Sequence, residues 1–114
     1  MVVREAVFGA TAVDGEWRIQ PLPDGTGVGL KGEFDILNRA HLDVALSRLV
    51  ALGREIHLDM SAVGFADLGT VASIVGAAGS LPSGQHVILH RPPWTVLRIL
   101  DLIWPGLDTV EVAT

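Results

Sequence analysis

The most constraining feature of this chain is a repeated change of hydrophobic period. Over Glu55 to Met60 the pattern alternates, with Ile56, Leu58 and Met60 set against Glu55, His57 and Asp59. That period of two belongs to a strand with one buried face. Before it, Leu42, Ala45, Leu46 and Leu49 fall at i, i+3, i+4 and i+7, the stripe of a helix. Asn38 is placed to cap that helix, which runs to about Leu52, and Gly53 is placed to end it. After the strand, Asp67 is placed to cap a second helix, about Gly69 to Gly79, rich in Ala, Gly and Val. Such small side chains let a helix sit close to a sheet. A strand between two helical segments calls for parallel pairing and right-handed crossovers.

The flanking segments extend this order. Glu16 to Pro21 and Thr26 to Lys31 read as strands joined by the turn Pro23-Asp24-Gly25, an opening hairpin. Gln85 to His90 reads as a strand. Pro92-Pro93 opens a third helix with Val96, Ile99, Leu100 and Ile103 on its inner face, and Pro105-Gly106 stops it. Leu107 to Val112 closes the order β-β-α-β-α-β-α-β. The expectation is a single α/β domain over residues 16–114, with a mixed sheet of about five strands. Its helices lie mainly on one face, and Glu55 to Met60 is central. Residues 1–15 are weakly patterned, an N-terminal extension or an edge strand. Leu46, Leu49, Ile56, Leu58, Val75, Leu89, Ile99 and Leu100 are the expected core. Trp94 and Trp104 are expected to seal its edge.

Composition narrows the function. The 114 residues suit one domain, and 49% hydrophobic content allows a real core. No cysteine is present, so disulfides and thiolate metal sites are excluded. Thirteen acidic residues face eight basic ones, a formal charge of −5, with no basic cluster. Nucleic-acid binding neutralises phosphates with Lys and Arg, so that class is set aside. The most apolar run, Leu68 to Ala78, is far short of the ~20 residues needed to cross a bilayer. The N-terminus has no signal-peptide pattern. No membrane insertion and a cytoplasmic location are expected.

Two segments carry a family resemblance. Gly32-Glu33-Phe34-Asp35 follows the second strand. His57-Leu58-Asp59-Met60-Ser61-Ala62-Val63-Gly64-Phe65-Ala66-Asp67 runs from the third strand into the second helix. Together with the element order from about residue 16 to residue 112, they resemble the STAS family of sulfate transporters and anti-sigma factor antagonists. The resemblance implies a bacterial protein-binding regulator whose partner is an anti-sigma factor of the serine-kinase type. It implies a contact surface from the Asp35 loop, the segment Asp59 to Thr70 and the exposed face of the second helix. The partner-binding candidates are therefore Asp35, Asp59, Ser61, Asp67, Leu68, Gly69 and Thr70. In the family, the residue after the Asp that matches Asp67 is the serine that a partner kinase phosphorylates. Here it is Leu68, followed by Gly69 and Thr70 in place of the usual Ser-Gly order. No phosphoacceptor stands at the family position, and Thr70 is the nearest substitute candidate.

Each candidate also has an ordinary structural role. Asp67 caps a helix, and a cap can also sit in an interface. Asp35 stabilises a turn. Asp59 and Ser61 form a local Asx- or Ser-type turn leaving the strand. Thr70 is a first-turn hydroxyl.

His86 and His90 lie four apart on a strand, roughly 13 Å by strand rise, too far to share an ion. His57, on a neighbouring strand, is placed to approach one of them, and His41 stands apart. No metal and no cofactor are expected. Enzyme signatures such as G-x-S-x-G or a P-loop are absent. Gly25-Thr26-Gly27-Val28-Gly29 precedes a strand, so no helix N-terminus backs a phosphate there. The expected function is thus an anti-sigma factor antagonist-like binding protein, not an enzyme. A STAS accessory subunit of a transporter or sensory scaffold is the first alternative. A small nucleotide-binding α/β protein, recognisable by tight ATP or GTP binding, is the second. The oligomeric state is open.

Overall fold

Pro23, Asp24 and Gly25 reverse the chain as their chemistry requires. Gly25 takes a left-handed φ of 73° and its amide donates to the Leu22 carbonyl at 3.0 Å. The computed structural model describes residues 17–113. The expectations for residues 1–15, Glu16 and Thr114 lie outside the described residues. The turn joins β1 (Trp17–Pro21) to β2 (Gly27–Phe34). There follow α1 (Arg39–Val50), β3 (Ile56–Ala66), α2 (Leu68–Gly79), β4 (Val87–His90), α3 (Trp94–Ile103) and β5 (Val110–Ala113). The sheet order is β1-β2-β3-β4-β5, with β3 in the centre. β1 runs antiparallel to β2, and the other three pairings are parallel, so the sheet is mixed.

One face of the sheet carries the core. Val28, Leu30, Leu58 and Leu89 are buried there in one apolar cluster with Leu42 and Leu49 of α1 and Val71 and Ile74 of α2. The opposite face carries Lys31, His57, Asp59 and His90, none of them buried. The clean alternation over Ile56 to Met60 follows, with Ile56, Leu58 and Met60 on the core face and His57 and Asp59 on the other. Gly27 is fixed by packing: a Cβ there would collide with the His57 backbone. The Gly25 to Gly29 run is thus a turn leading into a closely paired strand.

β3 is longer than its alternation predicts, continuing to Ala66. Between the Gly27–His57 and Phe34–Ala66 pairings, β3 fits two more residues than β2, at two register shifts. Each such bulge inverts the inside–outside phase, and two restore it. Buried positions therefore change spacing from two (Ile56, Leu58, Met60) to three (Met60, Val63, Ala66).

Several expectations need correction. Val75, Ile99 and Leu100 are only partly buried against the core. Ile103 is exposed and Val96 is the one fully buried residue of α3. That short helix rests on the core through a single row. Pro93 stands at the N-cap, in extended conformation, and Trp94 begins the helix. Trp94 is 66% exposed, so it seals nothing, while Trp104 does pack against the core.

Candidate functional site

The C-terminal ends of β2 and β3 lie side by side, with Phe34 opposite Ala66. Both strands release their chains here, into the β2–α1 loop and the start of α2. The Phe34 carbonyl ties the two exits together. It accepts from the Asp67 amide at 3.1 Å and from the Thr70 hydroxyl at 3.0 Å.

The start of α2 is locked from three sides. Asp67 is the N-cap, and its Oδ1 accepts from the Thr70 amide at 2.8 Å. Arg39, on the first turn of α1, donates through Nη2 to both carboxylate oxygens, at 2.8 and 2.7 Å. Partial burial opposes ionisation of Asp67. The Thr70 amide and the Arg39 guanidinium outweigh it, and hold the carboxyl below the ordinary range. Gly69 makes room for this clamp, because a Cβ there would land on the Arg39 guanidinium.

The adjoining loop is shaped by Asp35 and Asn38. Asp35 Oδ1 accepts from the Leu37 amide at 2.9 Å, the turn its residue type favours. Asn38 is at the N-cap of α1 but makes no capping bond from its side chain. It is buried and spans the loop instead: Oδ1 accepts from the Asp35 amide at 3.0 Å and Nδ2 donates to the Glu33 carbonyl at 2.8 Å. This brace turns Ile36 (76% exposed) and Leu37 (88%) outward.

On the α2 side, Phe65 and Leu68 are about half exposed, at 46% and 51%. They border a shallow groove of about 390 Å³ that continues to Trp94, Arg98 and Ile99 of α3. This end of the sheet therefore presents apolar side chains on a hydrogen-bonded frame. Exposed apolar groups gathered in this way mark interaction surfaces.

The structure brings Asp35, Asp67, Leu68, Gly69 and Thr70 together at this end. Thr70 offers no surface: it is 0% exposed, and its hydroxyl is committed to Phe34. Asp59 and Ser61 do not join them. Asp59 lies about seven residues back along β3, roughly 20 Å by strand rise. It lines a separate hollow on the opposite sheet face with Asp24, His57, His90 and Arg91. Its Oδ1 accepts from the Ser61 amide at 3.0 Å, which holds its carboxyl below the ordinary range. This is the Asx form of the turn expected from the sequence, and it sits at the first bulge.

His57 reaches His90, Nδ1 to Nε2, at 2.7 Å, and its Nε2 meets Glu55 at 3.0 Å. His86 turns to Glu111 instead, at 3.1 Å. Among the described residues, no group of three or more His, Cys, Asp or Glu is arranged to hold a metal ion. Among them, no helix is long and apolar enough to cross a membrane. Arg39, Trp94 and Arg98 lie outside the contact surface that the resemblance implied, whereas Ile36 and Leu37 fall in its Asp35 loop and Phe65 in its Asp59 to Thr70 segment, none of the three singled out by residue. Only Phe65 lay within a recognised motif.

This strand order, with the β2 and β3 exits joined at the start of α2, is that of a STAS-like α/β fold. Among solved structures the anti-sigma factor antagonist SpoIIAA, in its unphosphorylated form, is similar. The TM-score is 0.64 at 19% identity, covering 86% of this chain and 88% of that one. At that identity the likeness is one of fold. No family model matches the chain, and no curated protein matches it.

Proposed function

We propose that this chain is a protein-binding regulator of the anti-sigma factor antagonist type. It docks a serine-kinase-type anti-sigma factor in the bacterial cytoplasm, and it does so without a phosphoserine switch. The observation that supports this most directly is Leu68, half exposed on the first turn of a helix whose start is clamped by Asp67 and Arg39. A phosphate at that position would add about −1.5 to −2 charge. A leucine adds apolar area and accepts no phosphoryl group. Thr70 does not replace the lost serine, because its hydroxyl is buried. Association is then controlled by abundance or by the partner. No catalytic role is assigned to any residue.

The test is to incubate the protein with an anti-sigma factor of this class and ATP, then map phosphosites by mass spectrometry and measure binding. Binding that survives ATP, with no phosphate on Ser61, Thr70 or Ser73, is the expected result. Stoichiometric phosphate on any of them with loss of binding would overturn it. Leu68→Ser creates the acceptor and is expected to make binding ATP-sensitive if the docking surface fits the kinase. The apolar Leu68 also suits a standing contact within a transporter or sensory assembly. Co-purification with such subunits, and not with a kinase-type ATPase domain, would favour that second reading.

A further inference from the structure

The groove between the starts of α2 and α3 joins an apolar trough to a charge, Arg98, unmatched among the described residues. Ala66 and Ile99 lie within it, and Phe65, Leu68 and Trp94 stand around it. At about 390 Å³ it is near the lower end of the roughly 300–1,000 Å³ common for ligand sites. That is room for one large side chain with its adjoining backbone, and too little for a helix laid along it.

The charges at the rim differ in kind. Asp67 is already neutralised by Arg39. Arg98 lies over the Trp94 ring, its Cζ 5.3 Å from the centroid. Among the described residues it has no carboxylate within salt-bridge distance. The start of α3 has the same sign: it has no side-chain cap and no acidic residue in its first turn. A partner seated here therefore meets apolar walls and one uncompensated positive edge.

We infer that this groove receives a large apolar side chain of a protein partner, carried next to a carboxylate that pairs with Arg98. The inference rests on the partner-binding reading above, and adds to it what the partner must present. Trp94 supplies a flat wall, with the Arg98 guanidinium carbon 5.3 Å from its ring centroid. Arg98 selects for the neighbouring acid and against a neighbouring base. Both residues lie on α3, outside every motif that the sequence singled out, so they set which partner fits.

The probe is a set of three blocked tetrapeptides, acetyl-Gly-Phe-Asp-Gly-amide and its counterparts with Asn and Lys in place of Asp. Each is titrated into the full chain labelled with ¹⁵N. The expected shifts are confined to the Trp94 indole N–H and the amides of Phe65, Leu68, Thr95 and Arg98. The Asp peptide should bind about two- to five-fold more tightly than the Asn peptide, the range of an exposed ion pair. The Lys peptide should be weakest. Arg98→Ala should erase the Asp-over-Asn preference, and Trp94→Ala should remove binding while the rest of the spectrum stays in place. Equal affinity for the three peptides, shifts elsewhere, or no shifts at millimolar peptide would overturn the inference.

Variants at the same two residues separate it from the reading it rests on. Peptide binding in the groove by a chain with no affinity for a kinase-type anti-sigma factor would keep the inference and remove that function. Tight binding of such a factor that Trp94→Ala and Arg98→Glu leave unchanged would do the reverse.

Discussion

Two helices begin at the same end of this sheet, and they begin in opposite ways. α2 starts on a carboxylate that caps its amides and is clamped by a guanidinium from α1. α3 starts on a proline, with no cap, and with an exposed tryptophan as its first residue. The first start is finished within the protein, and its polar groups are used up. The second is left open. The difference teaches where shape and where choice reside in such a surface. The frame at α2 spends its hydrogen bonds internally, and the edge at α3 keeps its charge free for the partner proposed above.

Changes beneath and within each start can break or sharpen that contrast. Leu58→Ala removes a fully buried side chain from the central strand. It should cost about 2–5 kcal/mol in chemical denaturation. It lowers the support of both helices alike, so it is the reference against which local effects are judged. Asp67→Ala removes the cap and strands Arg39. A loss of about 0.5–2 kcal/mol is expected, with faster amide exchange confined to the first turn of α2. Equal loosening of α3 would break the contrast.

Acid should act on the same start. The carboxyls of Asp67 and Asp59 are depressed in the folded state. Their stabilisation is present above the ordinary carboxylate pKa of about 3.9. It is lost as pH falls through their lower folded values. Denaturation midpoints should therefore fall below about pH 4, and Asp67→Ala should flatten that fall. An unchanged pH profile in the variant would show that the clamp does not act through charge. Smallest of all, Trp94→Ala at the open start should change stability by no more than about 0.5 kcal/mol, as for a surface position. A larger loss would mean that Trp94 is part of the frame.

What the sequence revealed follows the range of each interaction. Asp67 as a cap, the Pro23–Gly25 turn and the buried set Leu46, Leu49, Ile56, Leu58 and Leu89 rest on local chemistry or period, and the fold agrees. β3 beyond Met60 was hidden because its bulges replace a spacing of two by three. Arg39 was hidden because its partner lies 28 residues away. Ile36 and Leu37 lie in the Asp35 loop that the resemblance marked as contact surface, but no period shows which way they face. Their outward position depends on Asn38, which braces the loop instead of capping α1 as its placement suggested. Trp94 was expected at the core edge because it flanks the third helix, and the thin seating of α3 explains its exposure.

The exposed apolar end also governs how these molecules behave in a crowd. The chain carries a formal charge of −5, and that repulsion between copies is felt across roughly 30 Å at 0.01 M salt. At 1 M it reaches only about 3 Å. Ile36, Leu37 and Trp94 are attractive only at contact. Dilute salt therefore keeps copies apart before their oily ends meet, and concentrated salt removes the fence. A solution of this protein should scatter light as independent particles at low ionic strength and turn progressively stickier as salt is raised, a trend that Leu37→Lys would blunt.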